Sequence, residues 1–284
     1  RSNKYTLPQG LIEKLLRNGR IKVNRKKVKS SFKVKKNDKI EIHNLNFTNQ
    51  FNENKYKPTI QIIKSTEQSI IFNNDDYIVI NKAAGIPVQG GTKSRNNLVD
   101  IFSKSKFFND TRPYTVHRID KDTSGLLIIA KNRKTAQFFT SLFRLRKIHK
   151  TYIALCYGEI NLDEGTWDHN FEKKENNRKI IERGITKFKI LDKNSELSLL
   201  KMNPITGRKH QLRKQTSFIG HPIYGDDKYG KTKNNNKKLF LHSYSIKFIM
   251  NDKKLNFKAP IPKYFKEYLK KKKIKIPNFF KLIY

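Results

Sequence analysis

His117-Arg118-Ile119-Asp120-Lys121-Asp122-Thr123-Ser124-Gly125 is the densest polar stretch of the chain. It brings two carboxylates, two cations, one imidazole and two hydroxyls together and runs directly into Leu126-Leu127-Ile128-Ile129-Ala130. A loop anchored by a rigid buried strand is a common way to present reactive groups. A carboxylate held there can act as a nucleophile or assist bond cleavage. Each residue taken singly also has a plainer reading. Asp120 can be a turn or capping residue and His117 a hydrogen-bonded structural one. Asp122 is the better turn former, because Thr123-Ser124-Gly125 follows it. His-Arg-Ile-Asp has the look of a protein-kinase catalytic loop. No Asn follows at the required spacing and no Gly-rich nucleotide loop precedes it, so a kinase is excluded.

A second polar stretch is Asn203-Pro204-Ile205-Thr206-Gly207-Arg208-Lys209-His210-Gln211-Leu212-Arg213. Gly220-His221-Pro222-Ile223-Tyr224-Gly225-Asp226-Asp227-Lys228-Tyr229-Gly230 follows it. A helix over 210–219 puts His210 and Arg213 on one face at i,i+3. Arg213, if buried, would pair with a carboxylate from elsewhere in the chain. The other reading is a basic helix lying against phosphate. Either way, nucleic acid or a charged reaction site is implied.

These loops need a frame. Tyr77–Ile80 reads as a strand, and Leu126–Ala130 as a short strand buried on both faces. Ala136, Phe139 and Phe143 mark a helix. Thr151–Tyr157 alternates, with Tyr152, Ala154 and Cys156 on one face and Ile153, Leu155 and Tyr157 on the other. Leu197–Met202 is a further strand. Helices and strands mix without regular βαβ alternation, which predicts an α+β fold. In front, residues 1–45 read as a separate unit. Leu7, Leu11, Ile12, Leu15 and Leu16 form a helix with Lys4, Lys14, Arg17 and Arg20, and Gly19 stops it. Ile21–Val23 and Lys39–Ile42 are strands, with Arg25, Lys26 and Lys27 at the turn. Residues 46–68, polar and without periodicity, read as a linker to a domain over 69–284. The Lys-rich tail from Lys270 reads as a surface arm.

Of the 284 residues, 62 are Lys or Arg and 24 Asp or Glu, a net charge of +38. Such a field implies a polyanionic partner, nucleic acid first and an anionic membrane surface second. Richness in Lys, Asn and Ile also reflects AT-rich coding. The basic residues are nevertheless spread along the whole length, as on folded nucleic-acid-binding domains. Hydrophobic residues make up 36% of the chain, enough for a core, so a wholly disordered basic tail is excluded. No run of about 18 apolar residues exists, which argues against a helical membrane span. The single Cys156 excludes an internal disulfide and a multi-cysteine zinc site, and it suits a reducing cytoplasm. The sequence opens at Arg1 without a secretory leader, so a few preceding residues are expected.

Residues 11–16 (Leu-Ile-Glu-Lys-Leu-Leu) and 19–24 (Gly-Arg-Ile-Lys-Val-Asn) resemble the S-four (alpha-L) RNA-binding domain. The remaining motifs, in their order and spacing, closely resemble the RluA family of pseudouridine synthases. The His117–Gly125 block with its apolar strand matches the family signature, and Lys150-Thr151-Tyr152-Ile153-Ala154 its tyrosine strand. Thr206–Arg213 with Gly220-His221-Pro222 matches its late arginine block, and Leu239-Phe240-Leu241-His242-Ser243 a strand near its end. Asp75–Lys82 matches its opening strand, and Gln89-Gly90-Gly91 is similar to the RluC-type branch. The resemblance spans about 69–260. Two positions depart from the family: Ala83 stands where Pro is frequent, and Gln215 where His or a similar residue is.

The resemblance implies a catalytic domain built on a mixed, largely antiparallel sheet with flanking helices, behind a small RNA-binding domain. It assigns catalysis to Asp120, Tyr152 and Arg213: the carboxylate to Asp120, an aromatic face for the uracil and a hydroxyl able to assist proton removal to Tyr152, and a charge partner for Asp120 to Arg213. Arg118 is expected to occupy the place of a flipped uridine, since guanidinium planes stack on bases. His117, Arg208 and His210 are expected to touch RNA, as are Arg17, Arg20, Arg25 and Lys26 of the first domain. The isomerisation needs no metal and no cofactor. The expected partner is RNA, first of all large-subunit ribosomal RNA with transfer RNA second, and the expected form is a cytoplasmic monomer. A non-catalytic RNA-binding protein of the same fold is the rival reading, against which the intact Asp120, Tyr152 and Arg213 argue. A basic DNA-binding protein leaves the carboxylate loop unexplained.

Overall fold

A computed structural model describes residues 9–43, 56–90, 96–109, 111–175, 178–230 and 238–277. The chain divides into two compact units, Arg1–Asn54 and Lys55–Tyr284.

In the first unit, helix α1 (Gln9–Arg17) buries Leu15, and Gly19 ends it at φ +68°. Lys4 and Leu7 lie outside the described residues. Strand β1 (Ile21–Val23) buries Ile21 and Val23 and turns through Asn24 and Arg25, both at positive φ, into β2 (Lys26–Lys27). Two consecutive left-handed residues give the tight turn that matches strand twist. Strand β3 (Ile40–Ile42) completes an antiparallel sheet in the order β2-β1-β3.

The second unit contains, in chain order, α2 (Ile60–Glu67), β4 (Ile70–Asn73), β5 (Tyr77–Lys82), α3 (Leu98–Ser103) and β6 (Tyr114–Thr115). There follow β7 (Ser124–Ala130), α4 (Arg133–Arg144), β8 (His149–Tyr157), β9 (Glu164–Glu175), β10 (Arg178–Lys193) and β11 (Leu197–Pro204). Helix α5 (Gln211–Phe218), β12 (Leu241–Met250), β13 (Lys253–Lys258) and α6 (Lys263–Lys271) complete it. One sheet runs β4-β5-β7-β12-β8-β11-β10-β9, with β13 on β12 and β6 on β7. Every pairing is antiparallel except β7 with β12.

The apolar run of β7 has a direct cause. Leu127 and Ile129 enter a core shared with α3 and α6, whereas Leu126, Ile128 and Ala130 enter a second core with Phe139 of α4. Both faces are covered, so alternation vanishes. Gly125 at the start of β7 has φ +105°, and a Cβ there would collide with the backbone of Ser243 on β12. Only glycine lets the signature loop enter the sheet at this place.

Two expectations are corrected. Residues 46–55 of the expected linker lie outside the described residues, but Ile60–Glu67 is helix α2 rather than linker. Thr59 caps it, Thr66 is buried and Glu67 accepts from the amide of Lys106, so it belongs to the second unit. Eight residues among Lys, Gln and Ser are too few to display a helical period. The tail from Lys270 is not a free arm as far as residue 277. Leu269 and Ile274 are buried, Lys272 pairs with Glu196 at 2.7 Å, and Asn194 donates to the carbonyl of Lys272.

Candidate active site

The carbonyl of Asp120 accepts from the amide of Thr123 at 3.2 Å, closing a turn just before β7. The side chain stays part-exposed at the wall of a cavity of about 580 Å³. Tyr152, Arg118, Arg208, His210 and Arg213 line the same cavity, so the fold gathers residues more than 90 positions apart in sequence. A second cavity of about 990 Å³ shares Asp120, His210 and Arg213 and is lined by Lys82, Lys121 and Asp122.

Arg213 projects from α5 and is buried, and its principal partner is one that the sequence motifs did not reveal. Its Nε and Nη2 donate to the two carboxylate oxygens of Asp226, both at 2.7 Å, while Nη1 reaches Asp120 Oδ2 at 3.4 Å. Arg213 is therefore clamped by Asp226 and offers its remaining edge to Asp120. Burial works to raise the Asp226 carboxyl, but the Arg213 hydrogen bonds and the amides of Tyr229 and Lys228 outweigh it and hold it below the ordinary value. The signal was present in Gly225-Asp226-Asp227, which lacks any periodicity that would mark a buried acid.

His210 is not inside the helix. It caps α5 in the left-handed conformation (φ 55°), with Nε2 3.6 Å from Asp120 Oδ1 and Nδ1 2.9 Å from the Tyr229 hydroxyl. Burial lowers its pKa, Asp120 opposes this, and Arg213, Lys228 and Lys209 add to it. It thus stands beside Asp120 at the cavity wall with its pKa held below the ordinary value.

Tyr152 is buried on β8, its hydroxyl pushed up to about 12 by burial, with Ser243 pulling down and Asp120 pushing up. That hydroxyl keeps its proton at neutral pH. The ring, rather than a phenolate base, is what it offers.

His117 lines the same cavity, and its ring is fixed from within the protein. Its Nε2 accepts from the amide of Ile128 at 2.9 Å, and its ring stacks on Phe143 at 4.5 Å. Burial drives its pKa down to about 3, with Lys150 adding to the effect, so the ring is neutral. It ties the loop to β7 in place of carrying charge. Arg118 and Arg208 are exposed at the cavity, and Arg208 Nε donates to the carbonyl of Arg183. Gln215, where the family often has His, is wholly buried and bonds Thr186 and the carbonyl of Gly184, so it organises β10 rather than meeting RNA.

Two buried groups flank the loop. Lys82 on β5 is 1% exposed, and its Nζ donates to the carbonyls of Ala83, Ile86 and Lys121 at 2.8–2.9 Å. Three acceptors match the three N–H bonds of an ammonium. Burial alone draws this amine down to about 7, against the pull of Asp122 and Asp120. His242 Nε2 lies 3.2 Å from the carbonyl of Ala259, which can only accept, so Nδ1 accepts from Ser124 Oγ at 2.9 Å. Lys82 and His242 thereby hold the loop just after Asp120, at Lys121 and at Ser124. In the first unit, Arg17, Arg20, Arg25 and Lys26 are all exposed. Among the described residues no cluster of His, Cys, Asp and Glu could hold a metal ion, and no helix is long and apolar enough to cross a membrane.

Known proteins match this arrangement. Residues 76–218 fit the family model described as RNA pseudouridylate synthase, and residues 9–40 fit that of the S4 domain. The chain is 36% identical over 286 residues to the ribosomal large subunit pseudouridine synthase C of Rickettsia bellii, covering 91% of each. It is 30% identical to the protein of that name from Vibrio cholerae, covering 95% of this chain and 90% of the relative. In fold it is similar to human RNA pseudouridylate synthase domain containing 4, with TM-score 0.67 at 22% identity, over 77% of this chain and 98% of that one.

Proposed function

Because the chain belongs to the RNA pseudouridylate synthase family and carries an S4 domain, we propose that it isomerises uridines of large-subunit ribosomal RNA to pseudouridine. In this reading it works as a monomer in the cytoplasm. Asp120 is the catalytic carboxylate, cleaving or assisting cleavage of the bond between sugar and base before the base is rejoined through carbon. The observation that carries this reading is the placement of Asp120 at the cavity wall, within 3.4 Å of Arg213 and 3.6 Å of His210, with Tyr152 lining the same cavity.

The rest follows from the neighbours. Arg213, fixed by Asp226, holds positive charge 3.4 Å from the Asp120 carboxyl. Tyr152 gives a flat apolar face against which a uracil can pack. A paired uridine must leave its stack to reach such a cavity, and Arg118 at the mouth is suited to the vacated position. The exposed cations of the S4 unit supply affinity for phosphate without reading sequence.

The test is release of tritium from 5-tritiated uridine in an unmodified large-subunit ribosomal RNA transcript, followed by mapping of the product. Pseudouridine at discrete positions is expected. Conversion of transfer RNA with none of ribosomal RNA would move the substrate, and binding without conversion of either would sink the catalytic reading.

A further inference from the structure

Lys150 stands two residues before Tyr152 on β8, so the two side chains leave the strand on the same face. Both line the cavity that contains Asp120. The Lys150 carbonyl accepts from Asn203 Nδ2 at 3.0 Å, which fixes the strand at this residue. Its ammonium is different. Among the described residues no hydrogen bond and no ion pair engages Nζ; the two groups within ion-pair reach of Asp120 are His210 and Arg213. Nζ lies against the bend at Gly207, where a Cβ would be 3.7 Å away. The side chain is half-buried, and burial lowers its pKa with no carboxylate to oppose the shift.

A lysine withdrawn from water without a counter-ion is unfavourable unless a ligand brings one. The cavity cannot supply it from its own lining. Arg118, Arg144, Arg146 and Arg208 are also there, and Asp120 is the carboxylate among the described lining residues, already engaged by Arg213. What is missing is an anion from outside. Two residues of extended strand span about 6.6 Å, a step of the kind that separates a base from the backbone of its own nucleotide.

Resting on the uridine reading of this cavity, we propose that Lys150 binds a phosphodiester of the RNA next to the flipped uridine, while Tyr152 packs on the base. Lys150 thereby seats the sugar between Tyr152 and Asp120. It is a positioning and binding residue, with no bond-making role.

The experiment uses the full chain and a synthetic stem-loop built around a uridine that the wild type converts in the ribosomal transcript. Three versions are compared: unmodified, and with a neutral methylphosphonate on the 5′ or on the 3′ side of that uridine. On unmodified RNA, Lys150→Met is expected to lower kcat/KM about tenfold, the scale of one charge-assisted contact, with Lys150→Arg largely restoring it. One of the two methylphosphonates should cost the wild type a similar factor and cost Lys150→Met almost nothing more. Penalties that multiply at both linkages would overturn the proposal, as would an unaffected Lys150→Met. If Lys150→Met fails to fold, judged by thermal melting, Lys150→Gln takes its place in the same comparison. The same three RNAs are also measured for binding alone. Loss of the coupling there with conversion intact defeats the phosphate contact only. Failure of the wild type to convert any uridine of the ribosomal transcript defeats the uridine reading instead.

Discussion

Arg17, Arg20, Arg25 and Lys26 of the first unit stand in solvent, whereas Arg213 and Lys82 of the second are buried and hold named acceptors. The residue types are alike and the physics is opposite. An exposed cation keeps its hydration and is screened, so it contributes affinity that depends on salt and little stability. A buried cation depends on its hydrogen bonds, and in return it fixes the geometry of whatever it touches. One unit keeps its cations in water, the other uses them to hold carboxylates and carbonyls still.

Substitutions can break this contrast at its strongest point first. Asp120→Ala should reduce tritium release by a factor on the order of 10⁴ while RNA affinity in a filter-binding assay persists, because affinity is spread over many cations. Near-normal turnover would remove Asp120 from its role.

Arg213→Met should follow in size, destabilising the fold by about 3–5 kcal/mol through the unpaired buried Asp226. The sign of the pH dependence should also reverse. In the wild type Asp226 is held below its ordinary pKa, so its contribution is present above the unfolded carboxylate range and lost as acid protonates it. Without Arg213 its pKa is left high by burial, so its contribution is present in acid and lost as pH rises. Chemical denaturation between acid and neutral pH reads this directly. Activity should fall as well, since Asp120 loses the cation 3.4 Å away. Full activity would leave Arg213 a purely structural role.

Lys82→Met leaves three carbonyls without their donor and should cost about 2 kcal/mol. The folded amine sits near 7 against an ordinary 10.5, so between those values the unfolded chain binds more protons. Stability from this residue therefore rises with pH across that window, and Lys82→Met should flatten the slope. Equal slopes in the two proteins would show that the three carbonyls keep the ammonium protonated throughout.

The mildest change should come from replacing Arg17, Arg20, Arg25 and Lys26 by Gln together. Thermal stability and kcat at saturating RNA should stay the same. KM should rise, and the salt slope of binding should fall by about 0.7–0.9 for each phosphate that the variant no longer neutralises. An unchanged slope would mean that this face does not meet RNA.

Much of this molecule is legible in its residues. Leu126–Ala130 could only be a strand with both faces covered, Gly19 and the Asn24 turn bound their elements, and the His117–Gly125 loop had to lie at a strand entrance. Those are local facts, set by side-chain period, turn chemistry and apolar runs, and they survive in any window of the chain. The pairing of charges is not local. Arg213 was expected to face Asp120 and does, yet its two short bonds go to Asp226, thirteen residues on in a loop without period. His117 carries the formula of a charged contact, but burial, with Lys150 beside it, makes it neutral. Helix α2 was hidden because its eight residues make only about two turns and one of its three isoleucines, Ile60, faces solvent. Sequence thus determined which groups were available and which backbone would present them. Tertiary structure alone decided which were dry, because burial and partner choice depend on residues that meet only when the sheet closes around them.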